Sequence, residues 1–248
     1  VTWLEALAIF GAGLAAGTIN TIVGSGTLIT FPTLLAFGYP PVVANVSNNV
    51  GLVPGAVSGA WGYRRELSGQ RTRLIRLGVG SALGGLTGAL LLLVLPAEAF
   101  ATIVPGLIVL GCVLVVIQPW VSRRIARPHD VPAHGSLWVW LFVFAAGVYG
   151  GYFGAAQGVL LIAILGLGLD ETLQRVNAAK NVLAGLVNAV AAVVFILLAE
   201  VDWLVVGLIA VGAALGGQVG ATVGRRLPPV ALRAVIVAVG AVAVVRLT

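Results

Sequence analysis

Charge is what this sequence has least of. Only 9 % of its 248 residues are charged while 60 % are hydrophobic, and the mean hydropathy is +1.10. A soluble domain carries roughly a quarter charged residues, so this composition excludes an ordinary soluble fold and points to a multi-pass membrane protein. The one cysteine, Cys112, lies in an apolar run. It excludes an internal disulfide and a multi-cysteine metal site, and reads as a small buried hydrophobe. The two histidines, His129 and His134, sit in a Pro-rich central segment and are too sparse for a metal site. No phosphate-binding P-loop occurs, so ATP is not the direct energy source, and no cofactor is expected. The apolar runs hold no paired carboxylates, which argues against a carboxylate proton relay. Lysine is all but absent: Lys180 stands alone beside thirteen arginines.

The formal charge of +6 would suggest nucleic acid in a soluble protein. Here the arginines sit in short segments beside apolar runs, where topology and anionic lipid headgroups account for them. No nucleic-acid partner is expected.

Apolar runs near 41–62, 74–95, 98–121, 202–223 and 229–247 are each long enough to span a membrane, since about 20 helical residues cross the ~30 Å hydrocarbon core. The stretches 3–37, 136–168 and 172–199 are also apolar. The first of these lacks a basic leader, carries Glu5 and belongs to a repeat, so it reads as mature structure.

That repeat is the chain's most informative feature. Residues 16–24 (AGTINTIVG) and 146–154 (AGVYGGYFG) correspond. Each is followed by a small-residue break, Ser25-Gly26-Thr27 or Ala155-Ala156-Gln157-Gly158, and then by a short apolar run. A polar cluster closes each copy: Asn45, Ser47, Asn48 and Asn49 in one, Asn177, Lys180 and Asn181 in the other. A glycine-interrupted hydrophobic segment in corresponding places of two halves is a sequence pointer to a transporter binding site. The fold class expected is all-α integral membrane: two inverted repeats of transmembrane helices, each with a Gly-broken, re-entrant helix pair. The first repeat covers 1–122, a basic, Pro-rich cytoplasmic linker 123–135, and the second repeat 136–248.

Inversion follows from the charges. Arg64, Arg65, Arg71 and Arg73 follow the first full span of the first half, and the next turn, Pro96-Ala97-Glu98, has no basic residue. In the second half the order reverses, Glu200 and Asp202 coming first and Arg225 and Arg226 next. Basic loops stay cytoplasmic, so equivalent loops lie on opposite sides. An eight-span bundle with parallel halves leaves that reversal unexplained.

Irregular backbone at membrane depth needs protein or a watery cavity to satisfy its polar groups. A half-helix starting at each break aims free N–H groups at the bilayer centre, and two such ends facing one another make an anion site. The candidate substrate-binding residues at the breaks are Asn20, Gly24, Ser25, Gly26 and Thr27 with Gly154, Ala156, Gln157 and Gly158. Asn45, Asn48 and Asn49 share one helix face by their i, i+3, i+4 spacing, and Asn177, Lys180 and Asn181 repeat it, with Asn188 two turns on. Lys180 has two readings, a substrate or coupling contact at depth and a side chain that snorkels to the interface with Arg175. Asp170 and Glu171 read as ordinary charges at a helix N-terminus. Gly13, Gly17, Gly212, Gly216 and Gly220 read as close-packing positions.

The run from Ala16 to Pro32, then Gly38-Tyr39-Pro40-Pro41-Val42-Val43-Ala44-Asn45, resembles the first signature of the sulfite exporter TauE/SafE family of membrane transporters. Gly147 to Gly158 and Asn177-Ala178-Ala179-Lys180-Asn181 resemble the second. The resemblance implies a secondary transporter in the bacterial inner membrane that moves small sulfur-containing anions (sulfite, thiosulfate, sulfoacetate or related organosulfonates), with export the leading direction. Ser25 and Thr27 depart from the family's glycine-rich form, and Cys112 lies outside both motifs, which argues against a cysteine relay. The partners expected are that anion and membrane lipids, with a homodimer left open. An anion channel of similar build is the alternative, and no nucleophile–base or metal constellation suggests an enzyme.

Overall fold

The structure, a computed structural model, describes residues 1–125, 135–222 and 229–247. The central linker therefore lies largely outside the described residues, as do His129, His134, Arg225 and Arg226. Ten helices and no strand make up the described residues: α1 (Trp3–Ile22), α2 (Thr27–Ala36), α3 (Pro41–Gly62), α4 (Arg71–Val94), α5 (Ala97–Ile125), α6 (Leu137–Tyr152), α7 (Gln157–Gly168), α8 (Leu173–Leu198), α9 (Trp203–Thr222) and α10 (Pro229–Leu247).

Local chemistry sets the boundaries. Thr2 and Glu5 form a reciprocal capping box at the start of α1, and Pro41 opens α3 at a position where its missing N–H costs nothing. The two breaks are built alike. The N–H groups of Val23 and Gly24 both return to Ile19 O, and those of Phe153 and Gly154 both return to Tyr149 O. Gly24 and Gly154 stop the helices with φ of +89° and +79°.

Among the described residues α1, α4, α5, α8 and α9 are long and apolar enough to cross a membrane. α3 has the length, but its buried Asn45, Ser47, Asn48 and Asn49 dilute its apolar character. Apolar side chains such as Leu4, Leu7, Val113, Val116, Val193 and Leu197 face outward. Exposed Trp3, Trp61, Trp138 and Trp203 lie near helix ends, the usual place of an interfacial aromatic belt. The chain is a multi-pass membrane protein.

Helix neighbours exchange between the halves. α1 packs on α9 as α6 packs on α4; α3 packs on α9 as α8 packs on α4; α5 packs on α7 as α10 packs on α2. The tightest crossings rest on small residues. A Cβ on Gly17 would meet Ala213 O at 2.2 Å, and one on Gly216 would meet Leu14 O at 2.0 Å. Close approach of this kind replaces the hydrophobic drive that lipid cannot supply.

The two ends of the bundle differ in charge. At one, Arg175 Nη1 donates to Ser68 O (3.0 Å), Gln70 Nε2 to Arg175 O (3.2 Å) and Arg76 Nη1 to Gly135 O (3.3 Å). At the other, Asp202 N donates to Ser47 Oγ (3.0 Å), which seats the α8–α9 turn against the start of α3. Burial pushes the Tyr39 hydroxyl above its ordinary value, and the carboxylates of Asp202 and Glu5 add to this. Tyr39 follows α2 and Glu5 opens α1, so the broken pair α1–α2 starts and finishes at this second, acidic end. The pair α6–α7 starts and finishes at the basic one.

Candidate functional site

The two breaks touch. Gly158 N donates to Gly24 O at 3.0 Å, and a Cβ on either glycine would lie 2.4 Å from the other's Cα. Only glycine permits that approach, and Gly24 also needs its positive φ. An aromatic cluster packs the second break, with Phe31 edge-on to Phe153 at 5.1 Å and Phe100 at 6.0 Å from Phe153.

Each half caps the broken helix of the other. Asn177 Nδ2 donates to Thr21 O (3.1 Å) and Asn181 Nδ2 to the same oxygen (3.4 Å). Asn45 Nδ2 donates to Tyr152 O (2.9 Å) at the corresponding end of α6. Carbonyls at the end of a helix have no partner in their own ladder, and buried ones must find another. Lys180 completes the cap on α1: its Nζ donates to Asn20 O (2.7 Å) and Thr21 O (3.3 Å). The side chain is only 1 % exposed, two turns into α8, so the snorkelling reading is set aside. Arg175 pairs with Glu171 instead (2.6 Å).

The first-turn N–H groups are largely occupied, unlike the free donors expected. Gly26 N donates to Asn20 Oδ1 (2.6 Å), Leu28 N to Ser25 O, Gln157 N to Gly154 O and Gly158 N to Gly24 O. Without water at this depth the backbone satisfies itself. Side chains are left to do the binding.

A small cavity of about 30 Å³ lies where the breaks meet. It has room for one or two waters, less than a sulfur oxyanion needs, so the centre is tightly packed in this structure. Of the residues singled out from sequence, Asn20, Gly24, Thr27, Gly154, Gln157, Gly158, Lys180, Asn181 and Asn188 line it. Ser25, Gly26, Asn45, Asn48, Asn49, Ala156 and Asn177 are not on its wall. Asn49 supports it at one remove by donating to Asn188 Oδ1 (3.4 Å). Ala156 holds the only positive φ on a non-glycine among the described residues, 60°. Thr21, Ala56 and Ala184 complete the lining and went unnoticed in the sequence. Thr21 contributes a backbone carbonyl, which its residue type does not advertise.

Gln157 is the wall's unspent donor. It is 3 % exposed, its Nε2 has no partner, and its amide fills the space that Gly150 leaves open. Burying an amide N–H without an acceptor is costly, so a group that supplies an acceptor in the cavity is favoured.

The sulfite exporter TauE/SafE family model matches residues 9–247. The chain belongs to this family. A relative from Sinorhizobium sp, "Probable membrane transporter protein ORF9", is 27 % identical over 220 residues, 86 % of this chain and 80 % of its own. "Probable membrane transporter protein YfcA" of Escherichia coli K12 is 27 % identical over 240 residues, 94 % of this chain and 86 % of its own. "Probable membrane transporter protein YdhB" of Bacillus subtilis is 26 % identical over 238 residues, 96 % of both chains. No solved structure matches this TauE/SafE chain.

Proposed function

We propose that this membrane transporter is a secondary carrier of small sulfur-containing anions, sulfite, thiosulfate, sulfoacetate or a related organosulfonate, working in the export direction across the bacterial inner membrane. The observation that carries the reading is the small cavity between the breaks, walled by the Lys180 Nζ and the unpaired Gln157 amide. Both are donors, and no carboxylate lines that wall. An ammonium has three N–H donors and Lys180 spends two on carbonyls, which leaves one for an anion. Asn181, Asn188, Asn20 and Thr27 add adaptable polar contacts.

In this reading 1–122 and 136–248 are repeats inverted across the bilayer, joined by a cytoplasmic linker at 123–135. Two observations support inversion: the broken pairs start and finish at opposite ends of the bundle, and Arg73, Arg76 and Arg175 gather at one of them. A cavity too small for the anion supports alternating access, since loading requires one group of helices to move. Lipids contact the outer faces, and a homodimer remains compatible with them.

Counterflow in proteoliposomes tests the carrier. Labelled sulfite or thiosulfate should accumulate transiently against its gradient when the lumen holds excess unlabelled anion. Flux that only dissipates the gradient and never saturates would identify a channel instead.

A further inference from the structure

Resting on the anion-carrier reading, we propose that Lys180 carries the coupling proton, so that the anion enters the site together with one proton. The geometry around its nitrogen supports this. Two acceptors face it, Asn20 O and Thr21 O. A neutral amine has two N–H groups and one lone pair, so it satisfies both carbonyls and turns the lone pair to the remaining direction. Lys180 lines the cavity, so that direction is where the anion binds.

Among the described residues no counter-charge is built in. The helices packed against α8 are α1, α3, α4, α6 and α7. α3 and α7 carry no titratable side chain. α6 carries Tyr149, which donates to Ala155 O, and Tyr152. The acid of α1, Glu5, is engaged with Thr2 at that helix's far end. α4 offers Arg71, Arg73 and Arg76 in its first two turns; Arg73 binds Glu171 and Gln70, and Arg76 binds Gly135 O. On α8 itself the other charged residue is Arg175, held by Glu171. Helix carbonyls supply only partial charge. A full positive charge buried at this depth without an anion is therefore costly, and the amine form is favoured while the site is empty.

Loading balances the charge. The neutral amine takes one proton from the buffer acid or hydronium of the solution on the open side; the new N–H forms on the former lone pair and donates to the anion. Neutral amine, proton and monoanion thus become an ammonium–anion pair with no net charge added to the empty site; for a dianion such as thiosulfate the same proton cancels one of its two charges. Anion and proton affinities are linked by the same factor in each direction. Transport of a monoanion is then electroneutral, and its direction follows the combined anion and proton gradients.

The test is calorimetry of thiosulfate and of methanesulfonate binding to the purified full chain at pH 7.5, in buffers of different ionisation enthalpy. Both anions remain ionised there and take up no proton themselves. The expected result is uptake of up to one proton per anion bound, with affinity falling up to tenfold per pH unit as pH rises. Lys180→Arg, which stays charged, should bind with no uptake; if that variant does not fold, the wild-type buffer series decides alone. Anion binding by the wild type with no proton uptake would overturn proton coupling and leave the carrier intact. Failure of both anions to bind would overturn the carrier reading and this inference with it.

Discussion

Gly158 N–H donates to Gly24 O across 3.0 Å, tying the interrupted helix of one half to that of the other. The contact fixes where the cavity sits and which side chains reach it. A Cβ on Gly24 would lie 2.4 Å from Gly158 Cα, at a backbone with φ +89°. Gly24→Ala is expected to destabilise by about 2 kcal/mol or more, from overpacking and left-handed strain together. Gly106→Ala, in a helix with open space around it, should be neutral or stabilising by up to about 1 kcal/mol. Thermal melts of the two variants in detergent check the contrast.

Much of this was legible before the fold was seen. Corresponding breaks at Gly24 and Gly154, and the paired polar clusters, are sequence patterns that the fold brings to one place. What escaped is how the donors are spent. Sequence gives Asn177 and Asn45 as amides on a helix face, but their partners are the backbone carbonyls of Thr21 and Tyr152. No side-chain identity encodes a helix end that arrives from 100 or more residues away. Glu171 likewise looked like an ordinary helix-start charge, yet it joins Arg73 of α4 (2.8 Å) to Arg175 of α8 (2.6 Å).

The caps and the cavity wall should separate experimentally. Asn45→Ala leaves a buried carbonyl short of a donor away from the cavity, and should cost about 1 kcal/mol of stability with anion affinity unchanged. Asn181→Ala should weaken anion binding as well. Melting curves with and without sulfite or thiosulfate distinguish the two patterns.

Gln157 is expected to act on binding more than on folding, because its Nε2 has no partner to lose. Gln157→Leu should weaken anion binding roughly tenfold, about one hydrogen bond to a charged group, with little change in the melting temperature of the empty protein. Gln157→Glu, which sets a carboxylate facing the anion, should abolish binding. Titration calorimetry reads both.

The Glu171 bridge has a defined pH signature. Burial raises its carboxyl, but hydrogen bonds from Arg175 and Arg73 outweigh this and hold it below the usual range. A group depressed in the folded state adds stability that is full above its unfolded value, about 4.3, and is lost as pH falls through the folded value. The stability advantage of wild type over Glu171→Gln should therefore be constant from neutral pH to about 5 and vanish in stronger acid. Melting temperatures of both proteins across pH 3–7 provide the check.

The central claim is an anion site at the meeting of the two breaks. Its most direct measurement is thermal stabilisation of the purified protein across sulfite, thiosulfate, sulfoacetate, sulfate, phosphate and acetate, in wild type and Lys180→Met. Selective binding raises stability by mass action. The account expects one sulfur-containing anion to stabilise wild type above sulfate and acetate, and that selectivity to disappear in Lys180→Met. Equal stabilisation by every anion, or selectivity untouched by the substitution, would contradict it.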